Sequence, residues 1–356
     1  MAYREPTVDA GAFVASASGD DALAYARTLG LVPVSRDDLT VERRGDANRG
    51  FSYFCRRTGR APAARRIGEI EAMALPPAWA QVTIARDPAA HIQAIGRDER
   101  GREQYRYHEG WTQVREEMKV RRLARFAAAL PRIRERVARD LDGPLTARDT
   151  VVALVVRLID LGHLRVGGER YAAAGTRGAT TLRTGNVAVD GDKVRLSFRA
   201  KAGKAARLAI EDRRLANRLR KLKHQRRGRL FAWHDGEAWR RVSAAQVNDY
   251  LTRAAGEPLS AKDFRTFAGS ALAIREMAEL TDEPARRRLP EVVRRVAKRL
   301  RNTPAVARSS YVHGIVQRLA QAPEEAGRLL KGPTRKGMTR HETALARLLQ
   351  RVQPSR

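Results

Sequence analysis

Two rhythms of apolar positions divide the chain. Up to about residue 115 they come in short runs bounded by turn formers: Phe51 to Cys55, Gln81 to Ala85 behind the breaker Pro76-Pro77, and Ile92 to Ile95. The last run leads through Arg97-Asp98-Glu99-Arg100-Gly101 into Gln104 to Tyr107, which predicts a hairpin. From about residue 116 the spacing changes to threes and fours, with Val120, Leu123 and Phe126, then Ile133, Val137 and Leu141. That is the period of an amphipathic helix. Thr146, with Asp149 three residues on, predicts a capped helix start, and the body from Val151 to Leu161 is apolar nearly all round, as a core helix is. Asn186 to Val189, Lys193 to Arg199 and Arg207 to Ile210 read as a three-stranded antiparallel meander, turning at Asp190-Gly191 and at Lys201-Ala202-Gly203-Lys204. Helices resume afterwards: Ser243 with Gln246 and Ser260 with Asp263 mark two starts, and Val292, Val293, Val296 and Leu300 line another helix. Thr303 as N-cap and Pro304 at the first helical position begin the next. The expected fold is α+β, with a small β-rich N-terminal lobe over residues 1–115 and a mostly helical lobe over 116–356 that carries the meander.

Charge narrows the possible partners. The 356 residues suffice for two domains. Lys and Arg number 70 against 40 Asp and Glu, a formal charge of +30, and so basic a protein ordinarily meets a polyanion, with nucleic acid ahead of a membrane surface. The longest wholly apolar run, Val151 to Val156, falls far short of the roughly 20 residues of a spanning helix. Arg4, Glu5 and Asp9 stand where a secretory signal would be apolar, so a cytoplasmic, nucleoid-associated protein is expected. Cys55 is the only cysteine, which excludes an internal disulfide and any zinc site built on paired cysteines. The seven histidines show no metal-ligand spacing, and no metal is expected. Of the 70 basic residues ten are Lys. Arg suits phosphate through its fixed fork of donors but holds its proton, so a task that needs a proton to move singles out Lys.

Residues able to carry chemistry lie at five separated places: Arg165 in RVGGERY, Lys201 in FRAKAGK, Arg265 in KDFRTFAGS, Asn302 in NTP and Tyr311 in ARSSYVHG. In this order and these settings the chain resembles the type IB DNA topoisomerases, in particular their compact bacterial and viral branch. The pattern there is Arg, Lys, Arg, His, Tyr. Four positions match, and Asn302 stands where most relatives have His, nine residues before Tyr311 as in the family. PPAW and HIQAIGRDERGREQYRYH extend the resemblance over roughly residues 50–320.

The resemblance implies the catalytic fold shared by tyrosine recombinases and type IB topoisomerases. It also implies a reaction in which Tyr311 attacks a phosphodiester, leaving a 3′-phosphotyrosine and a free 5′-hydroxyl. Religation would relax supercoils without ATP, metal or other cofactor. Arg165 and Arg265 would stabilise charge on the equatorial oxygens of the transition state, Asn302 would donate to one of them, Lys201 would be the general acid for the 5′ oxygen, and Lys262 would support the phosphate. In the first lobe Arg102, Gln104, Tyr105 and Tyr107 interleave donors with aromatics, a pattern suited to a DNA groove, and Tyr171 joins them on the catalytic side. The expected partner is double-stranded DNA, gripped by a monomeric clamp. A tyrosine site-specific recombinase is the nearest alternative, although it usually shows HxxR where this chain has Lys262-Asp-Phe-Arg265. A basic architectural DNA-binding protein is another, and would form no covalent adduct.

Overall fold

Five antiparallel strands form the sheet of the N-terminal part in the computed structural model, which describes residues 17–352. The chain divides into two compact units, Met1–Lys119 and Val120–Arg356. In the first, β1 (Val41–Asp46), β2 (Gly50–Cys55), β3 (Ala80–Ile84), β4 (Ile92–Arg97) and β5 (Glu103–Tyr107) pair in the order β2-β1-β3-β4-β5. Two helices accompany them, α1 (Ala17–Thr28) and α2 (Ala64–Ala72). The expected runs are all strands, and β4 with β5 forms the expected hairpin. Sequence reading missed β1, because in VERRGD only Val41 is buried and the strand reads as a charged loop. Its turn into β2 needs Gly45 (φ +101), where a Cβ would lie 2.2 Å from the Gly50 carbonyl oxygen.

Helix α3 (Trp111–Asp140) begins in the first unit and continues into the second. There the apolar spacing is realised as a core in which Phe126 meets Phe264 and Phe267 at ring distances of 4.9 and 5.2 Å. Helix α4 (Arg148–Gly162) is buried along nearly its whole length, as its uniformly apolar body dictates. Its start differs from the expected box. The N-cap is Ala147, with no side-chain cap, because the Asp149 carboxylate is taken by both terminal nitrogens of Arg253 at 2.9 and 3.0 Å.

After α5 (Glu169–Ala173) the meander β6 (Val187–Asp190), β7 (Lys193–Arg199) and β8 (Ala205–Glu211) follows the predicted pairing. In β7 the pleat buries Val194, Leu196 and Phe198 and exposes the four residues between and around them. The turn between β7 and β8 is one turn of 3₁₀ helix, Lys201–Gly203, closed by the Ala200 N–H on the Lys204 carbonyl at 2.7 Å.

The remaining elements are α6 (Arg213–Gln225), the short hairpin β9 (Ala232–His234) and β10 (Trp239–Arg241), α7 (Ala244–Ala255), α8 (Ala261–Glu279), α9 (Ala285–Leu300), α10 (Pro304–Ser310), α11 (Gly314–Gln317), α12 (Pro323–Leu330) and α13 (Arg340–Val352). Ser243 and Gln246 close the predicted capping box on α7, and Thr303 caps α10 ahead of Pro304. Helix α8 is the axle of this unit: α4, α9, α11, α12 and α13 all pack on it. A buried network ties α13 to the core, with Arg134 donating to Asp160 at 2.8 and 2.9 Å and to Glu342 at 2.8 Å twice. Among the described residues no helix is long and apolar enough to cross a membrane.

Candidate active site

Helix α4 ends in a left-handed residue, His163 (φ 50, ψ 40), which turns the chain sharply into Arg165. The backbone there is fixed by close contact between two glycines. A Cβ on Gly178 would lie 2.5 Å from Gly167 and 2.7 Å from the Arg165 carbonyl oxygen, so only glycine lets the two segments meet. The Ala179 and Thr180 N–H groups bond the Arg165 and Val166 carbonyls at 2.9 and 2.8 Å. Arg165 then donates from Nη2 to the Asn302 Oδ1.

Arg265 enters from α8 and is only 3% exposed. It donates to the His163 carbonyl from Nη1 and to the Leu300 carbonyl from Nη2, the latter at 3.0 Å. These acceptors are at the C-terminal ends of α4 and α9, where carbonyls lack helical partners and carry partial negative charge. Its Cζ lies 4.8 Å from the centre of the Tyr311 ring. Burial holds the Arg265 pKa below its ordinary value, against the opposing influence of the Tyr311 phenol.

Tyr311 follows α10 directly and is half-buried. Its backbone is clamped by α8. The Ser270 hydroxyl donates to the Tyr311 carbonyl at 3.0 Å and accepts the His313 N–H at 3.1 Å, while a Cβ on Gly269 would lie 2.7 Å from that carbonyl oxygen. Burial by itself would raise the Tyr311 phenol pKa, but Arg265, Arg165 and Lys262 together outweigh it and bring it below the ordinary tyrosine value.

Arg165, Lys201, Arg265 and Arg301 line one small concavity together with Phe198 and Leu300. None of the four forms an ion pair with a carboxylate among the described residues. Lys201 is exposed at the β7–β8 turn, and Lys262 is exposed on the first turn of α8. Three buried nitrogens in this cluster have no hydrogen-bond partner among the described residues: the donors Asn302 Nδ2 and Arg265 Nε, and His163 Nδ1. Such groups are rare in folded proteins, since each forfeits its hydration.

The expected DNA-contact residues of the first unit do not share one surface. Tyr105 and Tyr107 alternate with Gln104 along β5 and pack beside Leu39, Ile92 and Ile95. Tyr107 also stacks on Trp111 at 5.7 Å, and burial pushes its phenol up to about 12. Arg102 and Gln104 both donate to Asp98. A concavity on the same sheet is lined by Arg43, Arg56, Gln81 and Arg97, which sequence reading did not select. Tyr171, on α5, is 60% exposed.

Sequence reading also missed Arg301, Gly269, Ser270 and the His163 carbonyl. Gly269 follows Arg265 by four positions on one helix, so spacing alone puts it on the same face, whereas Ser270, one position further, falls outside it. Arg301 adjoins Asn302, but nothing in the sequence shows that its side chain turns inward.

Residues 108–331 match the eukaryotic DNA topoisomerase I catalytic core, and residues 50–98 match the N-terminal domain of bacterial DNA topoisomerase IB. DNA topoisomerase 1B of Acanthamoeba polyphaga mimivirus is 30% identical over 293 residues, covering 79% of this chain and 86% of the viral protein. With the core match spanning more than half of the sequence and the viral relative most of it, the chain belongs to the type IB DNA topoisomerases.

Proposed function

We propose that this topoisomerase cuts one strand of duplex DNA with Tyr311 and reseals it, with Arg165, Arg265, Asn302 and Lys201 as the catalytic residues and Lys262 in support. The Tyr311 oxygen attacks phosphorus and loses its proton to solvent, a loss favoured by the surrounding cations. The new bond joins the tyrosine to the 3′ phosphate. The bond to the 5′ oxygen breaks, and that oxygen leaves as a hydroxyl with a proton from Lys201. Because one phosphoester replaces another, the reverse step needs no nucleotide. Charge on the nonbridging oxygens is met by Arg165, by Arg265 through Nε and by Asn302 through Nδ2.

The observation that carries this reading is the pair of buried, unpartnered donors among uncompensated guanidiniums beside Tyr311. Donors held ready in a dry site stabilise a developing anion without reorganising. The first unit is read as the part that holds duplex DNA and the second as the part that cuts it. Tyr171, Arg102 and Gln104 are read as DNA contacts, and Tyr105 and Tyr107, which pack beside Leu39, Ile92 and Ile95, as residues that support the hairpin presenting them. The enzyme is read as a monomer acting in the cytoplasm, on the nucleoid.

The test is Tyr311→Phe on supercoiled plasmid in EDTA without ATP. Wild type should relax the plasmid and yield a denaturant-trapped protein–DNA adduct, and the variant should do neither while still binding DNA. An adduct that persists in Tyr311→Phe would put the nucleophile elsewhere, and relaxation that requires added Mg²⁺ or ATP would overturn the mechanism.

A further inference from the structure

We propose that Arg301 is a third guanidinium of the phosphate pocket, a catalytic residue that donates to a nonbridging oxygen of the scissile phosphate. The inference rests on the reading of the pocket given above.

Its backbone supplies the first argument. Arg301 caps the C-terminus of α9 in the left-handed conformation (φ 53, ψ 49). That position strongly favours glycine, because any Cβ there crowds the backbone. Only four non-glycine residues among those described have positive φ, and two of them, His163 and Arg301, meet at this pocket. A long side chain kept where glycine is best suited points to a use for that side chain.

The side chain supplies the second. Arg301 turns into the concavity shared with Arg165, Lys201 and Arg265. Nη2 is anchored on the Gly162 carbonyl, with the His163 carbonyl at 3.5 Å, and its other nitrogens have no partner among the described residues. Burial first, then the charges of Arg265 and Arg165, push its pKa down to about 10. A group in that setting is destabilised by its neighbours unless an anion joins them. Carbonyls at a helix C-terminus fix the direction of the guanidinium yet leave its charge in place for a ligand.

The test uses Arg301→Gly and Arg301→Asn, both compatible with a left-handed backbone. Single-turnover cleavage of a duplex with one defined site should fall on the order of 10- to 100-fold in each. The melting temperature should hold or rise, since strain is relieved, and affinity for uncleaved duplex should change little. With a methylphosphonate at the scissile position a methyl group replaces one nonbridging oxygen and the linkage carries no charge, so the variants' deficit relative to wild type should shrink. Cleavage within about twofold of wild type on the phosphodiester would overturn the proposal. So would an equal deficit on both substrates, or a fall in melting temperature that accounts for the lost activity, either of which makes Arg301 a structural tie between α4 and α9. Tyr311→Phe is run beside them: an adduct in that variant refutes the underlying reading, whereas an inert Tyr311→Phe with active Arg301 variants refutes this inference alone.

Discussion

Gly269→Ala tests whether α8 sets the position of the nucleophile. The added Cβ would lie 2.7 Å from the Tyr311 carbonyl oxygen, 2.9 Å from its Cβ and 3.1 Å from Leu300 Cδ1. Leu300 can rotate, but the other two atoms belong to the clamped stem of Tyr311. Ordinary contact begins at 3.4 Å, so the stem must withdraw by about 0.7 Å. Misplacing a reacting group by about 1 Å slows a reaction on the order of 100-fold, so single-turnover cleavage should slow about 10- to 100-fold, or roughly 1.4–2.7 kcal/mol in barrier. Stability is drawn both ways, by about 0.5–1 kcal/mol of improved helix propensity and about 1–3 kcal/mol of overpacking. The net loss of stability is therefore about 0–2.5 kcal/mol, and the melting temperature, measured in parallel, should leave the variant folded at the temperature of the cleavage assay. The assay follows covalent adduct on a labelled duplex whose short cleaved fragment dissociates, with binding measured separately. Cleavage within about twofold of wild type would refute the clamp, and a deficit lying wholly in binding would refute the argument from position.

Three further outcomes follow from the same geometry. Lys201→Ala should slow cleavage on the order of 100-fold or more, yet cleave a substrate with sulfur at the 5′-bridging position far better, because a thiolate leaves without a proton; equal defects on both substrates would remove Lys201 from the acid role. Asn302→Ala should slow cleavage on the order of 10- to 1,000-fold, and Asn302→Asp by more, since it keeps an acceptor for Arg165 but loses the unpartnered Nδ2 donor and adds negative charge; an Asp variant faster than Ala would refute the donor role. Burial would raise the Glu342 pKa, but Arg134 outweighs it and holds the carboxyl below its ordinary 4.5. A depressed folded pKa stabilises above that value and loses the stabilisation as pH falls through the folded one, so wild-type stability should decline below about pH 4.5 more steeply than that of Glu342→Gln, which denaturant melts at several pH values would show.

How much of this was legible beforehand depends on whether residues act through local pattern or through distant contact. The meander, the capped starts at Ser243 and Thr303 and the core face of α3 follow from spacing, because their hydrogen bonds and burial are local. Strand β1 was hidden because its pairing with β2 and β3 offsets a polar composition. Thr146 failed as a cap because Arg253, over a hundred positions away, competes for Asp149. At the site, residue types, their order and the family resemblance singled out Arg165, Lys201, Arg265, Asn302 and Tyr311, and Arg165, Lys201 and Arg265 line one concavity. The parts that aim them act through backbone atoms: the His163 and Leu300 carbonyls, the approach at Gly269 and the left-handed turn at Arg301. A carbonyl leaves no signature in a sequence.

The manner in which arginines are held separates those that support the fold from those available to a ligand. Arg122, Arg134 and Arg157 are each matched to carboxylates, Arg122 to Asp263 at 2.6 and 2.8 Å and Arg157 to Asp212. Their charge is neutralised where they sit, and a phosphate would gain little from them. Carbonyl anchoring alone does not mark the alternative, because buried Arg288 also rests on carbonyls, those of Leu280, Thr281, Glu283 and Ala320, which occupy Nε and both terminal nitrogens. Arg265 differs in that its two terminal nitrogens are anchored and Nε is left over. Asp263, two positions before Arg265 and next to Lys262, could have neutralised the pocket, but its carboxylate is bound by Arg122 and by Ser260. In the proposed reaction a carboxylate on Arg265 would compete with the phosphate, whereas a helix-end carbonyl orients the side chain and leaves most of its charge unopposed. The fold thus holds the Arg265 guanidinium over the Tyr311 ring without a carboxylate partner, which is the arrangement that the proposed attack on a phosphate requires.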